Sequence, residues 1–261
     1  MLAGRDLSQD MGHGSIMSGI AIVTGGSRGI GAATARLLGA RGWAVCVNYR
    51  ANRAEAEAVA QAIEAAGGRA IAVAADTADR AAVQAMFATV DRAFGRLTAL
   101  VNNAGIHGPR GRMEALTPED VRRVLAVNVE GCLWCAQEAV ARMSTRRGGT
   151  GGAIVNLSSG AANYGNPNDG ILYAMSKAAL NAMTIGLAQE VAAEGIRVNG
   201  VLPGITETDM PGPERARAVG AATPMGRAGT PEEIAEAIVW LLSDKASYVA
   251  GAQLRVAGGR L

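Results

Sequence analysis

The chain has 261 residues, 49% hydrophobic and 18% charged, with 25 Lys and Arg against 23 Asp and Glu. That length fits one large α/β domain or two small ones, and the apolar content supports a substantial core. A formal net charge of +2 without a basic run argues against a nucleic-acid partner, and no apolar stretch is expected to span a membrane.

Residues 1–18 are polar and glycine-containing, carry Asp6 and Asp10, and lack an apolar centre, so they do not read as a secretory signal. They are expected to be a mobile leader, or to precede a later start near Met17, with residues 19–261 forming one domain in the cytoplasm. From there apolar runs alternate with helical stretches to the end of the chain. Strands are predicted over 20–24, 44–49, 70–74, 99–102, 153–157, 197–202 and 253–256. Helices are predicted over 29–41, 54–66, 80–94, 118–143, 172–194 and 231–242. The strands are continuously apolar rather than alternating, as expected when helices cover both faces. Right-handed crossovers then give an α/β, doubly wound parallel sheet of about seven strands. No linker or internal repeat divides the chain. Residues 206–229 lack strong periodicity, contain three prolines, and follow a strand directly, which places them at the carboxyl edge of the sheet as a substrate lid or a plain surface excursion.

The first strand runs into Thr24-Gly-Gly-Ser-Arg-Gly-Ile-Gly31, then a helix. Glycines here permit the tight turn and the close approach of backbone to a pyrophosphate, which meets the helix N-terminus. At the end of the second strand an acid would hold a ribose 2′-hydroxyl and repel a 2′-phosphate. The chain instead has Asn48-Tyr49-Arg50. Arg28 and Arg50 either offer planar donor forks to phosphate or are solvated surface arginines. The first reading predicts NADP(H), with NAD(H) as the alternative. Asp76 follows the third strand, where it would receive the adenine amino group or cap the next helix.

Cys46 lies in an apolar strand, and Cys132-Leu-Trp-Cys135 has a C-x-x-C spacing inside a helical pattern. No second Cys/His pair completes a zinc site, so these are expected to be small buried hydrophobes, and no metal site is predicted. Tyr173 and Lys177 stand one helical turn apart on the same face. A lysine ammonium there would favour the phenolate and bring a group with a pKa near 10 toward neutral pH.

The series Thr24–Gly31, Asn102-Asn-Ala-Gly105, Asn128, Ser158-Ser159 before Tyr173-x-x-x-Lys177, and Pro203-Gly204 resembles the short-chain dehydrogenase/reductase superfamily, from Gly19 to Gly259. The tail from Pro224 to Asp244 looks like bacterial 3-oxoacyl reductase and sugar dehydrogenase relatives. The resemblance implies an NAD(P)-dependent oxidoreductase interconverting a carbonyl and a secondary alcohol of a small molecule, commonly as a homotetramer; the alternatives are an NAD-linked alcohol or sugar dehydrogenase and a cofactor-binding sensor that kept the fold and lost turnover. It makes Tyr173 the acid/base and Lys177 the ribose-binding residue that lowers the tyrosine pKa. Ser159, the second of the serine pair, would polarise the substrate oxygen, and Asn128 would hold a water leading to Lys177. The implied cofactor set is Gly25, Ser27, Arg28, Gly29, Ile30, Gly31, Tyr49, Arg50, Asp76, Thr77, Asn103, Ala104, Gly105, Tyr173, Lys177, Pro203, Gly204, Thr206 and Thr208. Family members often have an aliphatic residue where Thr206 stands. The stretch Asn163-Tyr-Gly-Asn-Pro-Asn-Asp169 is expected to shape the substrate pocket, and His107 near the cleft is either a substrate contact or a plain loop histidine.

Overall fold

A computed structural model describes residues 19–260; the expected leader at 1–18 lies outside the described residues. Seven strands form one sheet: β1 (Ile20–Val23), β2 (Ala44–Tyr49), β3 (Arg69–Ala74), β4 (Ala99–Asn102), β5 (Gly152–Leu157), β6 (Ile196–Pro203) and β7 (Gln253–Val256). Every pairing is parallel, in the order β3-β2-β1-β4-β5-β6-β7. This is the Rossmann-type, doubly wound arrangement, with the strand order reversing between β1 and β4.

Side-chain alternation divides the core into two layers. Ala21, Val23, Val45, Val47, Ala99, Val101, Val155 and Leu157 face one side, covered by α1 (Gly29–Ala40), α2 (Arg53–Ala65) and α9 (Pro231–Leu242). Ile22, Cys46, Leu100 and Ile154 face the other, under α3 (Arg80–Phe94), α5 (Gly131–Met143) and α7 (Ile171–Val191), which the short α6 (Ala161–Tyr164) precedes. Both faces are buried, which is why the strands read as apolar runs. Each fully buried Val, Leu or Ile contributes about 1.5–3 kcal/mol. Cys135 packs into this second layer, Cys132 is buried as well, and burial pushes the Cys132 thiol up to about 11. No cluster of metal-ligating side chains occurs among the described residues.

Four details differ from the sequence reading. The helix expected over 118–143 is interrupted: α4 (Pro118–Leu125) passes into a π-helical turn at Ala126–Glu130 before α5. The wider turn carries Asn128, and such bulges recur at functional sites. The segment 206–229 contains a helix, α8 (Pro213–Ala221), started by Gly212 at φ +80° and Pro213 in the first turn. Asp76 is not the cap of α3; Asp79 is, accepting from Ala81 N and Ala82 N. Finally, one stretch, 171–194, is long and apolar enough to cross a membrane by length and composition, with mean hydropathy 1.3 over its best window. It is α7 and its C-terminal turn, and it lies against the sheet with Ser176, Lys177, Leu180 and Thr184 buried, as a core helix does.

Candidate active site

At the carboxyl ends of the strands, around the reversal point between β1 and β4, opens a cleft of about 410 Å³. Of the expected site residues, all line it except Gly31 and Asn128, which lie just behind its wall.

The glycine loop forms one end. Gly25 and Gly29 have φ +61° and +53°, a region that L side chains rarely adopt. The loop is held to β2 by Gly26 N donating to the Asn48 carbonyl at 2.7 Å and Gly25 N to Asn48 Oδ1 at 3.1 Å. It is held to β4 by Asn103 Nδ2, which donates to the carbonyls of Thr24 and Gly25 at 2.8 and 3.0 Å. Thr24 Oγ1 accepts from the backbone of Asn103 and Ala104. A Cβ on Gly31 would come within 2.4 Å of the Gly25 carbonyl oxygen. The N-terminus of α1 has no side-chain cap and no acid in its first turn. Backbone donors close to an open cleft, with a macrodipole behind them, suit a pyrophosphate. Thr208 sits over this loop, close enough that a Cβ on Gly29 would be 3.1 Å from its methyl group.

Arg28 and Arg50 are exposed in the cleft wall. Arg28 pairs with Asp209 at 3.1 Å, and Arg50 lies 3.9 Å from Asp76, which also has Arg123 at 3.6 Å. The Asp76 carboxylate accepts from Ala78 N in a local turn. Tyr49 packs partly against the core, and Thr77 is buried beneath Gly131. Thr206 donates to the Gly204 carbonyl, so its hydroxyl is spent within the loop.

The catalytic candidates meet in the middle of the cleft. Ser159 lines the cleft beside the phenol of Tyr173, whose pKa it helps to lower, and its Oγ accepts from Ala161 N at 3.1 Å. Its neighbour Ser158 points away and donates to the Lys177 carbonyl at 2.9 Å, which separates the two serines by role as strand alternation requires. Lys177 Nζ sits 5.8 Å from the Tyr173 ring centroid and donates to the Leu157 carbonyl at 2.7 Å. Asn128 donates to the Ile106 carbonyl and to Ser176 Oγ, each at 2.9 Å, and accepts from Ile106 N at 2.8 Å. A Cβ on Gly105 would touch both Lys177 Nζ, at 3.2 Å, and Asn128 Oδ1, at 3.3 Å, so these two groups flank one small space.

The electrostatics differ from the simple lysine argument. Burial raises the Tyr173 phenol, while the Ser159 hydrogen bond and then the Arg110 charge pull it back; Lys177 is not among the causes. Burial also lowers the Lys177 ammonium. Both shifts follow from taking charge out of water.

The sequence reading missed a charged cluster beside the phenol. His107, expected near the cleft, stacks its ring on Tyr173, with centroids 4.8 Å apart. A Cβ on Gly170 would lie 2.6 Å from that imidazole, so the helix start leaves room for it. Asp169, four residues before Tyr173, lies 3.7 Å from His107 Nε2 and binds Arg110 and Arg215. The available signal was the position of Asp169 in the pocket-shaping stretch just before α7; the arginines come from distant segments and had none.

Comparison with known proteins adds the following. A family model described as Enoyl-(Acyl carrier protein) reductase matches residues 25–260. The chain is 51% identical to an uncharacterized oxidoreductase, YgfF, of Escherichia coli (strain K12), over 92% of this chain and 99% of that protein. It is 42% identical to a cis-4-hydroxycyclohexanecarboxylate dehydrogenase of Sinomonas cyclohexanicum, over 92% and 95% respectively. Among solved structures, a short chain dehydrogenase from Burkholderia cenocepacia J2315 in complex with NADP superposes with a TM-score of 0.85 at 39% identity, covering 92% of this chain and 96% of that one.

Proposed function

This chain belongs to the short-chain dehydrogenase/reductase superfamily and is an oxidoreductase acting on CH–OH groups; we propose that it uses NADP(H) and that Tyr173 is its acid/base. The observation that carries this reading is the meeting of Ser159, Tyr173 and Lys177 at the centre of a cleft whose far wall is the glycine loop. When bound, the nicotinamide supplies or takes the hydride. The protein's residues supply the rest. Ser159 and Tyr173 hydrogen-bond the carbonyl oxygen, and Tyr173 Oη gives that oxygen its proton as negative charge develops there. Lys177, held by the Leu157 carbonyl, and Asn128 beside it form the route by which the phenol regains a proton. Residues 206–229, pinned at their base by Gly229 N to the Ile205 carbonyl and Glu207 N to the Gly229 carbonyl, serve as the lid.

NADP(H) is favoured because Arg28 and Arg50 lie in the wall near the glycine loop and no acid ends β2. The second reading, an NAD-linked alcohol or sugar dehydrogenase, draws on the approach of Asp76 to Arg50. Arg50→Asp is expected to lower the preference for NADP over NAD by about tenfold or more, since a carboxylate replaces a phosphate-binding fork. An unchanged ratio of kcat/KM for the two cofactors contradicts the NADP assignment.

The direction of the phenol shift gives a pH prediction. Reduction needs the neutral phenol, which burial favours, so kcat for reduction stays flat through neutral pH and falls only on the alkaline side. Oxidation needs the phenolate and rises with pH. A reduction rate that declines already below pH 7 contradicts the role of Tyr173. A cytoplasmic homotetramer is part of the same reading, its assembly supported by apolar Leu133, Met175 and Ile185 exposed on α5 and α7.

A further inference from the structure

Beyond the Tyr173 ring, the cleft carries a charge pattern that hydride transfer does not use. Arg110 follows β4, Asp169 precedes α7, and Arg215 lies on α8, and all three line the cleft. Asp169 accepts from Arg110 Nη1 on both oxygens, at 2.7 and 3.0 Å, from Arg215 Nη2 at 2.8 Å, and from Asn166 at 3.0 Å. One carboxylate therefore faces two guanidiniums, and its oxygens are already crowded with donors. Arg110 also donates through Nη2 to the Met210 carbonyl at 3.3 Å. Arg215 has only the Asp169 bond among the described residues, although its side chain is 44% exposed and carries five donors. The nearby acid Asp209 is paired with Arg28 and does not balance the excess.

This surplus positive charge bears on the reacting group. The Arg110 charge acts on the Tyr173 phenol, and both arginine charges act on the His107 ring stacked against it. A structural clasp for the lid accounts for the Asp169 bonds, since one carboxylate can serve two guanidiniums, but it leaves the remaining Arg215 donors unused. A second guanidinium in a partly enclosed cleft, with donors to spare, is what a bidentate anion acceptor looks like.

We propose that the carbonyl compound acted on here carries an anionic group, which Arg215 receives together with Arg110. The proposal rests on the oxidoreductase reading for the carbonyl, and on the charge pattern alone for the anion. Carboxylate and phosphate share the required chemistry.

The test compares matched pairs on the NADPH-loaded protein: levulinate with methyl levulinate, acetoacetate with methyl acetoacetate, and dihydroxyacetone phosphate with dihydroxyacetone. NADPH consumption gives kcat/KM, and thermal shift gives binding without turnover. In at least one pair the charged member is expected to be preferred by about tenfold or more, and the pair concerned tells carboxylate from phosphate. Arg215→Gln is expected to lower that preference about tenfold, and Arg215→Lys to retain part of it. Equal or better use and binding of the neutral member in all three pairs overturns the proposal. So does an Arg215→Gln preference equal to that of the parent. Charged members that bind selectively without any turnover support the anion site and count against the oxidoreductase reading, which separates the two failures.

Discussion

Tyr173→Phe is expected to cut turnover by about 10²- to 10⁴-fold, the range of a positioned general acid, which corresponds to roughly 3–5 kcal/mol of barrier. The substitution removes only Oη. The remaining ring keeps the volume that stacks on His107 at 4.8 Å and that lies near Lys177 Nζ. The fold and the cofactor wall are therefore expected to survive, with NADPH affinity changed by less than about threefold. Single-turnover kinetics with fluorescence titration of NADPH separates the two effects. Turnover within tenfold of the parent would refute the acid/base role, because neither Ser159 nor a buried Lys177 whose ammonium is already engaged by the Leu157 carbonyl stands ready to replace the phenol.

The second large effect is expected at the opposite end of the cleft. In Gly31→Ala the new methyl would lie 2.4 Å from the Gly25 carbonyl oxygen and 2.5 Å from Asn103 Nδ2. Neither neighbour moves freely. Asn103 Nδ2 is committed to the carbonyls of Thr24 and Gly25, and the loop is tied to Asn48 through two more bonds. The overlap must be relieved by shifting the loop backbone, at a cost of about 1–3 kcal/mol in stability. The same shift displaces the donors at the start of α1, so NADPH affinity is expected to fall by at least about tenfold. Thermal melting and calorimetric titration of the variant measure both, and parental affinity would show that this loop does not hold the cofactor.

Most of the sheet was legible in the chain because the central strands β1, β2, β4 and β5 are buried on both faces and so appear as mostly apolar runs, while the edge strands β3 and β7 are only partly buried. The alternation that assigns Val45 and Val47 to one layer and Cys46 to the other needs no tertiary information. Helix breaks were less legible. The π turn that carries Asn128 has no local composition signal, since Ala-Val-Asn-Val-Glu continues the helical pattern on either side. Helix α8 is short, charged and preceded by an exposed loop, and Gly212-Pro213 was its one local mark.

The site divides along similar lines. Glycines, the serine pair and the Tyr/Lys turn are local patterns, and the structure draws them to one cleft. The environment that sets their chemistry is not local. Spacing alone makes Lys177 the neighbour that shifts the phenol, whereas burial, Ser159 and Arg110 dominate in the folded protein. The turn at Asp76 looked like a helix start, but Asp79 occupies the capping position because it precedes the first hydrogen-bonded turn of α3. Arg110, Asp169 and Arg215 are separated by 46 residues or more and meet only when the fold brings two loops and helix α8 to one edge of the sheet.

The most direct measurement is a crystal structure of the protein with NADPH and a bound ketone. The expected complex has the pyrophosphate over Gly25–Gly31, Lys177 on the nicotinamide ribose, and the ketone oxygen within hydrogen-bond distance of both Tyr173 Oη and Ser159 Oγ. A nicotinamide seated elsewhere, or a ketone oxygen that neither hydroxyl reaches, would contradict it.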